Sequence, residues 1–340
     1  MRPREQYSLL LGLSSNGGPL SSGSRGETVQ DSRLFRPLSR DRFLIVSDAR
    51  QELHDGIIDG FWGATASSSN QEPRAIVMAG PPGAGKSTAL PTVSSEVFDG
   101  QPFAVIDGDE LKASLLRDAV SSGYYESNLM PLVEAHANDG ARFFPMDFAG
   151  LVHRESMILH ATLFEIGIDR RTNLVIDGTL AWRDYGNEIL SRLTAAGYAT
   201  QLIVDVEASR SEAEEHVYRR WLDGHLDGIR TIAAYPDARP LGGRVVPSIA
   251  YDSIYENGTA KTLTNARSLA AEFDIPVMVF FPAREKKQPE LVFDSAHGGT
   301  VTHSTTSGRR EGRCSVCGHP IWSAKSLERG AGPDCAPKLP

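Results

Sequence analysis

The run Gly80-Pro81-Pro82-Gly83-Ala84-Gly85-Lys86-Ser87-Thr88 carries the pattern GxxxxGK[ST] between an apolar run, Ala75–Ala79, and a stretch of helical character. Each position has a physical use. Glycines accept positive φ and let backbone N–H groups face an anion, and the N-terminus of the following helix adds partial positive charge there. A lysine at position 86 reaches terminal phosphates, and a hydroxyl at 87 can ligate Mg²⁺. Gly80, Gly83, Ala84, Gly85, Lys86, Ser87 and Thr88 are therefore read as a set that holds ATP, with Ser87 on the metal. The alternative is a Gly/Pro-rich turn with no ligand. Pro91 lies just inside the helix and predicts a kink or irregular turn. The loop specifies a nucleotide and leaves the reaction open.

Carboxylates address the reaction. Val105-Ile106-Asp107-Gly108-Asp109 ends a second apolar run, and the carboxyl end of a strand beside a phosphate loop is where open α/β sheets bind ligands. Asp109 is the candidate base for an acceptor hydroxyl, with Asp107 orienting the turn. An Asx-type turn capping the next helix is the competing reading. Glu155 sits in an apolar helical stripe with Leu151, Ile158 and Leu159, where ionisation is costly without a partner. It is either half of a buried pair with Arg or His, or a substrate contact. Asp177, after Asn173-Leu174-Val175-Ile176, is a Walker B-like acid near Mg²⁺ or a turn residue. Six arginines lie between residues 207 and 247: Arg210, Arg219, Arg220, Arg230, Arg239 and Arg244. Phosphoryl transfer needs cations on the transferring group, and two of the six are expected to serve; spacing alone does not select them.

The elements that must position these groups are short apolar runs at 75–79, 103–106, 174–176, 201–206 and 276–281, separated by helical stretches. That alternation predicts an α/β fold with a parallel β-sheet flanked by helices. Apolar spacing over residues 41–62 predicts a helix packed on the domain, and 64–73 reads as a loop. Residues 12–32 are rich in Gly and Ser, which predicts a disordered tail over 1–40. The kinase-sized body spans 41–283, a polar linker 284–312 with a possible short strand at 291–293, and a small cysteine-bearing module 313–340.

The formal charge of −8 is unevenly spread. Residues 1–42 carry seven Arg against four acids and residues 284–340 nine basic against six acidic residues, leaving 19 basic and 33 acidic residues between them. Such a body repels a long polyanion and favours a compact substrate over nucleic acid. No apolar run has the length of a membrane span. The apolar stretch after Met1–Arg4 is too short for a leader, which points to a cytoplasmic protein.

Taken in order, the phosphate loop, Ile106-Asp107-Gly108-Asp109, His153-Arg154-Glu155-Ser156, Asn173-Leu174-Val175-Ile176-Asp177-Gly178-Thr179-Leu180 and Gly243-Arg244-Val245-Val246-Pro247 resemble the zeta toxins. These are P-loop kinases of bacterial toxin–antitoxin systems that phosphorylate the 3′-hydroxyl of the sugar in UDP-N-acetylglucosamine. The resemblance implies a nucleotide-sugar substrate, ATP with Mg²⁺, and an antitoxin partner. It also implies catalytic roles for Asp109 as base, Lys86 as the loop lysine, and Arg220 (or Arg219) and Arg244 as phosphate clamps. Glu155, Thr179 and Asp107 fall on the substrate side. Two departures concern the acceptor. Some members carry Arg where this chain has Ala181, and some carry Glu at the position of Asp177. Another nucleotide such as NAD, or a polynucleotide 5′ end, is the alternative acceptor. A different class of reading is a nucleotide-dependent binding module that recognises a partner through its C-terminal unit.

That unit contains Cys314-Ser315-Val316-Cys317-Gly318-His319 and, further on, Cys335. A CxxC knuckle can turn two thiolates towards one tetrahedral ion, so Cys314, Cys317, Cys335 and His319 are candidate ligands of a structural Zn²⁺, with His303 or His297 as substitutes for the fourth.

Overall fold

Each of the five apolar runs forms a strand, and all five run parallel. The computed structural model describes residues 1–39, 42–65, 70–281, 290–295, 299–300, 312–313 and 320–321. Its N-terminal part is helix α1 (Pro3–Leu13), a single 3-10 turn (Thr28–Gln30), the antiparallel hairpin β1 (Phe35–Ser39) and β2 (Arg42–Ile45), and helix α2 (Asp48–Ala64). The alternating body follows with β3 (Arg74–Ala79), α3 (Lys86–Phe98), β4 (Ala104–Ile106), α4 (Gly108–Ser121), α5 (Glu134–Asn138), α6 (His153–Asp169), β5 (Leu174–Ile176), α7 (Arg183–Ala195) and β6 (Thr200–Val206). Next come α8 (Arg210–Ala234), α9 (Ser248–Ile254), a small ladder of β7 (Tyr255–Glu256) with β8 (Thr259–Ala260), α10 (Lys261–Phe273), β9 (Val277–Phe281), β10 (Glu290–Asp294) and β11 (Gly299–Thr300).

The sheet order is β11-β10-β9-β6-β3-β5-β4, parallel from β9 to β4, with β10 and β11 added antiparallel at one edge. In β3, Ala75, Val77 and Ala79 join one hydrophobic cluster while Ile76 and Met78 join another. Alternate side chains thus enter opposite faces, so both faces must be covered by helices, and the strand reads as an unbroken apolar run.

Three expectations are corrected. Residues 3–39 are not a disordered tail: Tyr7, Leu10, Leu13 and Leu20 are buried in the main core, and Pro3 at the start of α1 supplies a pre-set helical φ. The single helix expected over 41–62 is instead strand β2 followed by α2, with Ser47 as N-cap accepting from the Arg50 N–H at 3.3 Å. The first unit runs from Met1 to Thr300, since the short strand at 290–294 pairs with β9 and extends the sheet beyond 283. Helix α3 runs continuously through Pro91. The second unit, Val301–Pro340, contributes one described antiparallel pair, Gly312–Arg313 with Pro320–Ile321. Cys314, Cys317, His319 and Cys335, as well as His297 and His303, lie outside the described residues. Among the described residues no group of three or more His, Cys, Asp or Glu could hold a metal ion, and no helix is long and apolar enough to cross a membrane.

Candidate functional site

The carboxyl ends of β3, β4 and β5 open into one cleft of about 1980 Å³. Pockets for one small ligand measure roughly 300–1,000 Å³, so this cleft has room for two. The phosphate loop forms its floor. Gly80, Gly83 and Gly85 have φ of 117°, 84° and 99°. At Gly83 a Cβ would also stand 2.3 Å from the Ala213 carbonyl oxygen, so only glycine lets the loop lie against α8. The loop is further held by His216, whose Nδ1 lies 2.9 Å from the Gly83 carbonyl oxygen. Lys86 and Ser87 open α3, so their N–H groups have no helical acceptor and are available to an anion. Lys86 Nζ donates to the Gly80 carbonyl at 3.0 Å. The hydroxyl of Ser87 is exposed in the cleft. A hydroxyl beside a phosphate loop fits a Mg²⁺ that arrives with ATP and keeps most of its own waters.

Asp107 and Asp109 have separate jobs, as the turn demands. Asp107 is the N-cap of α4 and accepts from the Asp109 N–H at 2.7 Å. The cap leaves Asp109 in the first helical turn, with its carboxylate between two cations: Lys112 Nζ at 3.0 Å and Arg244 Nη2 at 2.6 Å. Burial pushes its pKa up, but the charges of Arg244 and then Lys112 outweigh this and hold it well below the usual carboxylate range. Arg220 belongs to the same cluster, whereas Arg219 turns outward and pairs with Glu215 at 2.9 Å one turn back. Arg244 is delivered by a loop that packs directly on α8: a Cβ at Gly243 would stand 2.3 Å from the Trp221 carbonyl oxygen. Arg210, Arg230 and Arg239 do not line the cleft.

Asp177 faces the same space. Burial, with smaller contributions from Asp107 and Asp109, raises its pKa to about 6 against the lowering effect of Lys86. The Thr179 carbonyl accepts from the Gly80 N–H at 3.1 Å, tying the Gly178-Thr179 turn to the phosphate loop. Leu180 follows with φ of 51°, an uncommon conformation for a bulky residue. The Asn265 amide holds it there, donating to the Leu180 and Ala181 carbonyls at 2.8 and 3.1 Å.

Glu155 is corrected. It is fully buried, does not line the cleft, and accepts from Arg50 Nε and Nη2, both at 2.6 Å, and lies 2.8 Å from His54 Nε2. The buried pair, not the substrate contact, is the reading that holds. Burial tends to raise its pKa, and the hydrogen bonds from His54 and Arg50 reverse this and leave it lowered. In Arg50→Ala a buried carboxylate loses its guanidinium, which costs about 3 kcal/mol of stability at neutral pH. Wild-type Glu155 stabilises the fold above its unfolded pKa of about 4.3 and loses that contribution as pH falls. The deficit of the variant should therefore narrow in acid. Urea unfolding at pH 7.5 and at pH 3.5, below the unfolded pKa, checks both the size and the sign.

Reading the sequence missed Lys112, His153, His160 and Trp182. Lys112 was legible as the i+3 neighbour of Asp109 on a helix. Burial, then Lys112 and Arg244, lower the His153 pKa to about 4, so it is neutral at physiological pH. Burial alone does the same for His160. Trp182 lines the mouth with 67% of its surface exposed, a large aromatic face that nothing in its spacing announced.

The family model of the zeta toxins matches residues 62–121 and 136–296, and a family of unknown function, DUF6011, matches residues 304–340. No curated protein matches the chain. Among solved structures it is similar to the AvrRxo1-ORF1:-ORF2 complex in its native form, at 13% identity over 76% of this chain and 71% of that one with a TM-score of 0.50. The same complex with sulphate ions matches at 13% identity over 86% and 83%, again with a TM-score of 0.50. A structure from the PezAT chromosomal toxin–antitoxin system of Streptococcus pneumoniae matches at 17% identity over 74% and 82%, with a TM-score of 0.45. At these identities the AvrRxo1 matches speak for the fold. The family model covers more than half of the chain, including the phosphate loop and Asp109, Asp177 and Arg244. The chain belongs to the zeta toxin family and carries the site of a kinase-type phosphotransferase.

Proposed function

We propose that this protein is an ATP-dependent kinase that phosphorylates a hydroxyl of a nucleotide sugar, UDP-N-acetylglucosamine first among the candidates, and that it acts as a toxin restrained by an antitoxin. The observation that carries the reading is the carboxylate of Asp109 held 2.6 Å from Arg244 in a cleft of about 1980 Å³ that also contains the phosphate loop. ATP would lie with its phosphates on the loop, and Lys86, Arg220 and Arg244 would neutralise the transferring group. Ser87 would hold Mg²⁺, which neutralises charge on the β- and γ-phosphates. As the acceptor oxygen bonds to the γ-phosphorus, the bond to ADP breaks and the hydroxyl proton passes to Asp109. Thr179 and Asp107 would face the acceptor. Glu155 would not touch it; it fixes α6 to α2.

The acceptor is tested by incubating the protein with γ-labelled ATP and UDP-N-acetylglucosamine, other UDP-sugars, NAD or an oligonucleotide. Label on a UDP-sugar supports the proposal. Label only on NAD keeps the chemistry and overturns the substrate, in line with the acceptor-side residues Ala181 and Asp177. Label only on the oligonucleotide would overturn the argument from the acidic body.

A further inference from the structure

The N-terminal segment lies outside the region that the zeta toxin family model matches, which begins at residue 62. It nevertheless reaches the cleft: Ser14, Asn16, Ser21 and Ser22 line it together with the phosphate loop and Asp109. We propose that residues 14–22 are a fixed wall of the acceptor subsite, and that Asn16 and Ser22 contact an uncharged, hydroxyl-rich part of the acceptor. The proposal rests on the kinase reading above.

The wall is built in rather than draped over the opening. Before it, α1 is anchored on α8. The Tyr7 ring meets Tyr218 and Trp221 at 5.0 Å each, and the Arg4 guanidinium lies 3.5 Å over Tyr218. The Gln6 side chain donates to the Arg142 carbonyl at 3.0 Å and accepts from the Arg142 N–H at 3.1 Å. After it, the buried carboxylate of Glu27 accepts from Arg154 Nε at 2.7 Å, and the Thr28 hydroxyl donates to the Leu151 carbonyl at 3.3 Å. Within it, Leu20 is fully buried, and its N–H donates to the Leu13 carbonyl at 3.0 Å.

Its place in the cleft assigns it to the acceptor. The Leu20 carbonyl lies against Gly150 so closely that a Cβ there would stand 2.4 Å away. Gly150 and His153 line the cleft, and His153 feels the charges of Lys112, Arg244 and Asp109. On the other flank, Tyr7 feels Arg220 and Arg244. The segment thus borders the Asp109–Arg244 side, whereas the nucleotide phosphates belong on the loop against α8 at Ala213. In an in-line transfer the acceptor enters opposite ADP, on the side of the base. The chemistry of the wall is equally specific. Ser14-Ser15-Asn16-Gly17-Gly18-Pro19-Leu20-Ser21-Ser22 offers hydroxyls and one amide and no charge, which suits sugar hydroxyls better than a second polyphosphate. Asn16 is exposed, and its amide has no hydrogen-bond partner among the described residues.

The test is the steady-state kinetics of Asn16→Ala, Asn16→Trp and Ser22→Trp on whichever of UDP-N-acetylglucosamine, NAD or an oligonucleotide the wild type labels. These positions are exposed, and unfolding midpoints confirm that each variant folds. The acceptor KM should rise about tenfold in the tryptophan variants and severalfold in Asn16→Ala, with the ATP KM changed less than about twofold, as expected when one hydrogen-bonded contact of the acceptor is lost. An acceptor KM unchanged in all three, with the wild type active, overturns the wall and leaves the kinase reading standing. A wild type that labels none of the acceptors overturns the kinase reading, and the wall falls with it.

Discussion

Replacing Asp109 by Asn should lower kcat for phosphoryl transfer by about 10²–10⁴-fold, the range for loss of a positioned general base, while ATP still binds. The two effects separate because Asp109 does not shape the phosphate loop. Its backbone N–H is capped by Asp107, and its carboxylate touches only Lys112 and Arg244 among the described residues. Asn keeps the volume and removes a negative charge from a site that must receive a polyphosphate, so ATP affinity should hold or improve. Steady-state transfer and fluorescent-ATP titration on the same preparation read both quantities. Wild-type kcat in the variant would remove Asp109 from the mechanism.

Arg244→Ala carries the second large effect, a loss of about 10³-fold in kcat, as seen where an arginine neutralises a transferring phosphoryl group. The structure adds a pH signature. Arg244 is the first of the charges that hold the Asp109 pKa far down, and a carboxylate so stabilised is a weak base. In the proposed mechanism the guanidinium would be shared with the γ-phosphate, and that stabilisation would relax as the acceptor proton leaves. In Arg244→Ala the largest of these charges is lost, while Lys112 at 3.0 Å and Arg220 remain. Burial, now opposed by fewer charges, raises the Asp109 pKa from its depressed value towards the ordinary carboxylate range. Because the base must be ionised, residual kcat/KM should fall away in acid at a higher pH than in the wild type. An unshifted limb would mean that Arg244 does not tune Asp109.

What the sequence disclosed and what it withheld divide along a physical line. The phosphate loop, the turn at Asp107 and the five strands are written in contiguous residues, and they stand where their local pattern put them. The choice between Arg219 and Arg220 needed only the helix face, since Glu215 claims the former one turn back. The apolar stripe around Glu155 leaves a buried pair and a substrate contact both open, and the family resemblance puts it on the substrate side; its partners, Arg50 and His54, lie more than 100 residues away in sequence. No local spacing reports such a pair. The N-terminal segment failed for a different reason. Its Gly- and Ser-rich composition signals disorder, yet Leu10 and Leu20 fill the core and the polar residues between them line the cleft. A segment so poor in apolar residues stays ordered because a few side chains anchor it on surfaces contributed by α8 and by residues 142–154.

The central claim is that the γ-phosphoryl group goes to an alcohol and not to water. It is tested most directly by single-turnover reaction of the wild-type protein with γ-labelled ATP and UDP-N-acetylglucosamine, followed by separation of phosphoester from inorganic phosphate. The account predicts label in a stable sugar phosphoester, dependent on the acceptor. Label released only as inorganic phosphate, at a slow rate that no acceptor changes, would contradict it and favour a nucleotide-dependent binding module.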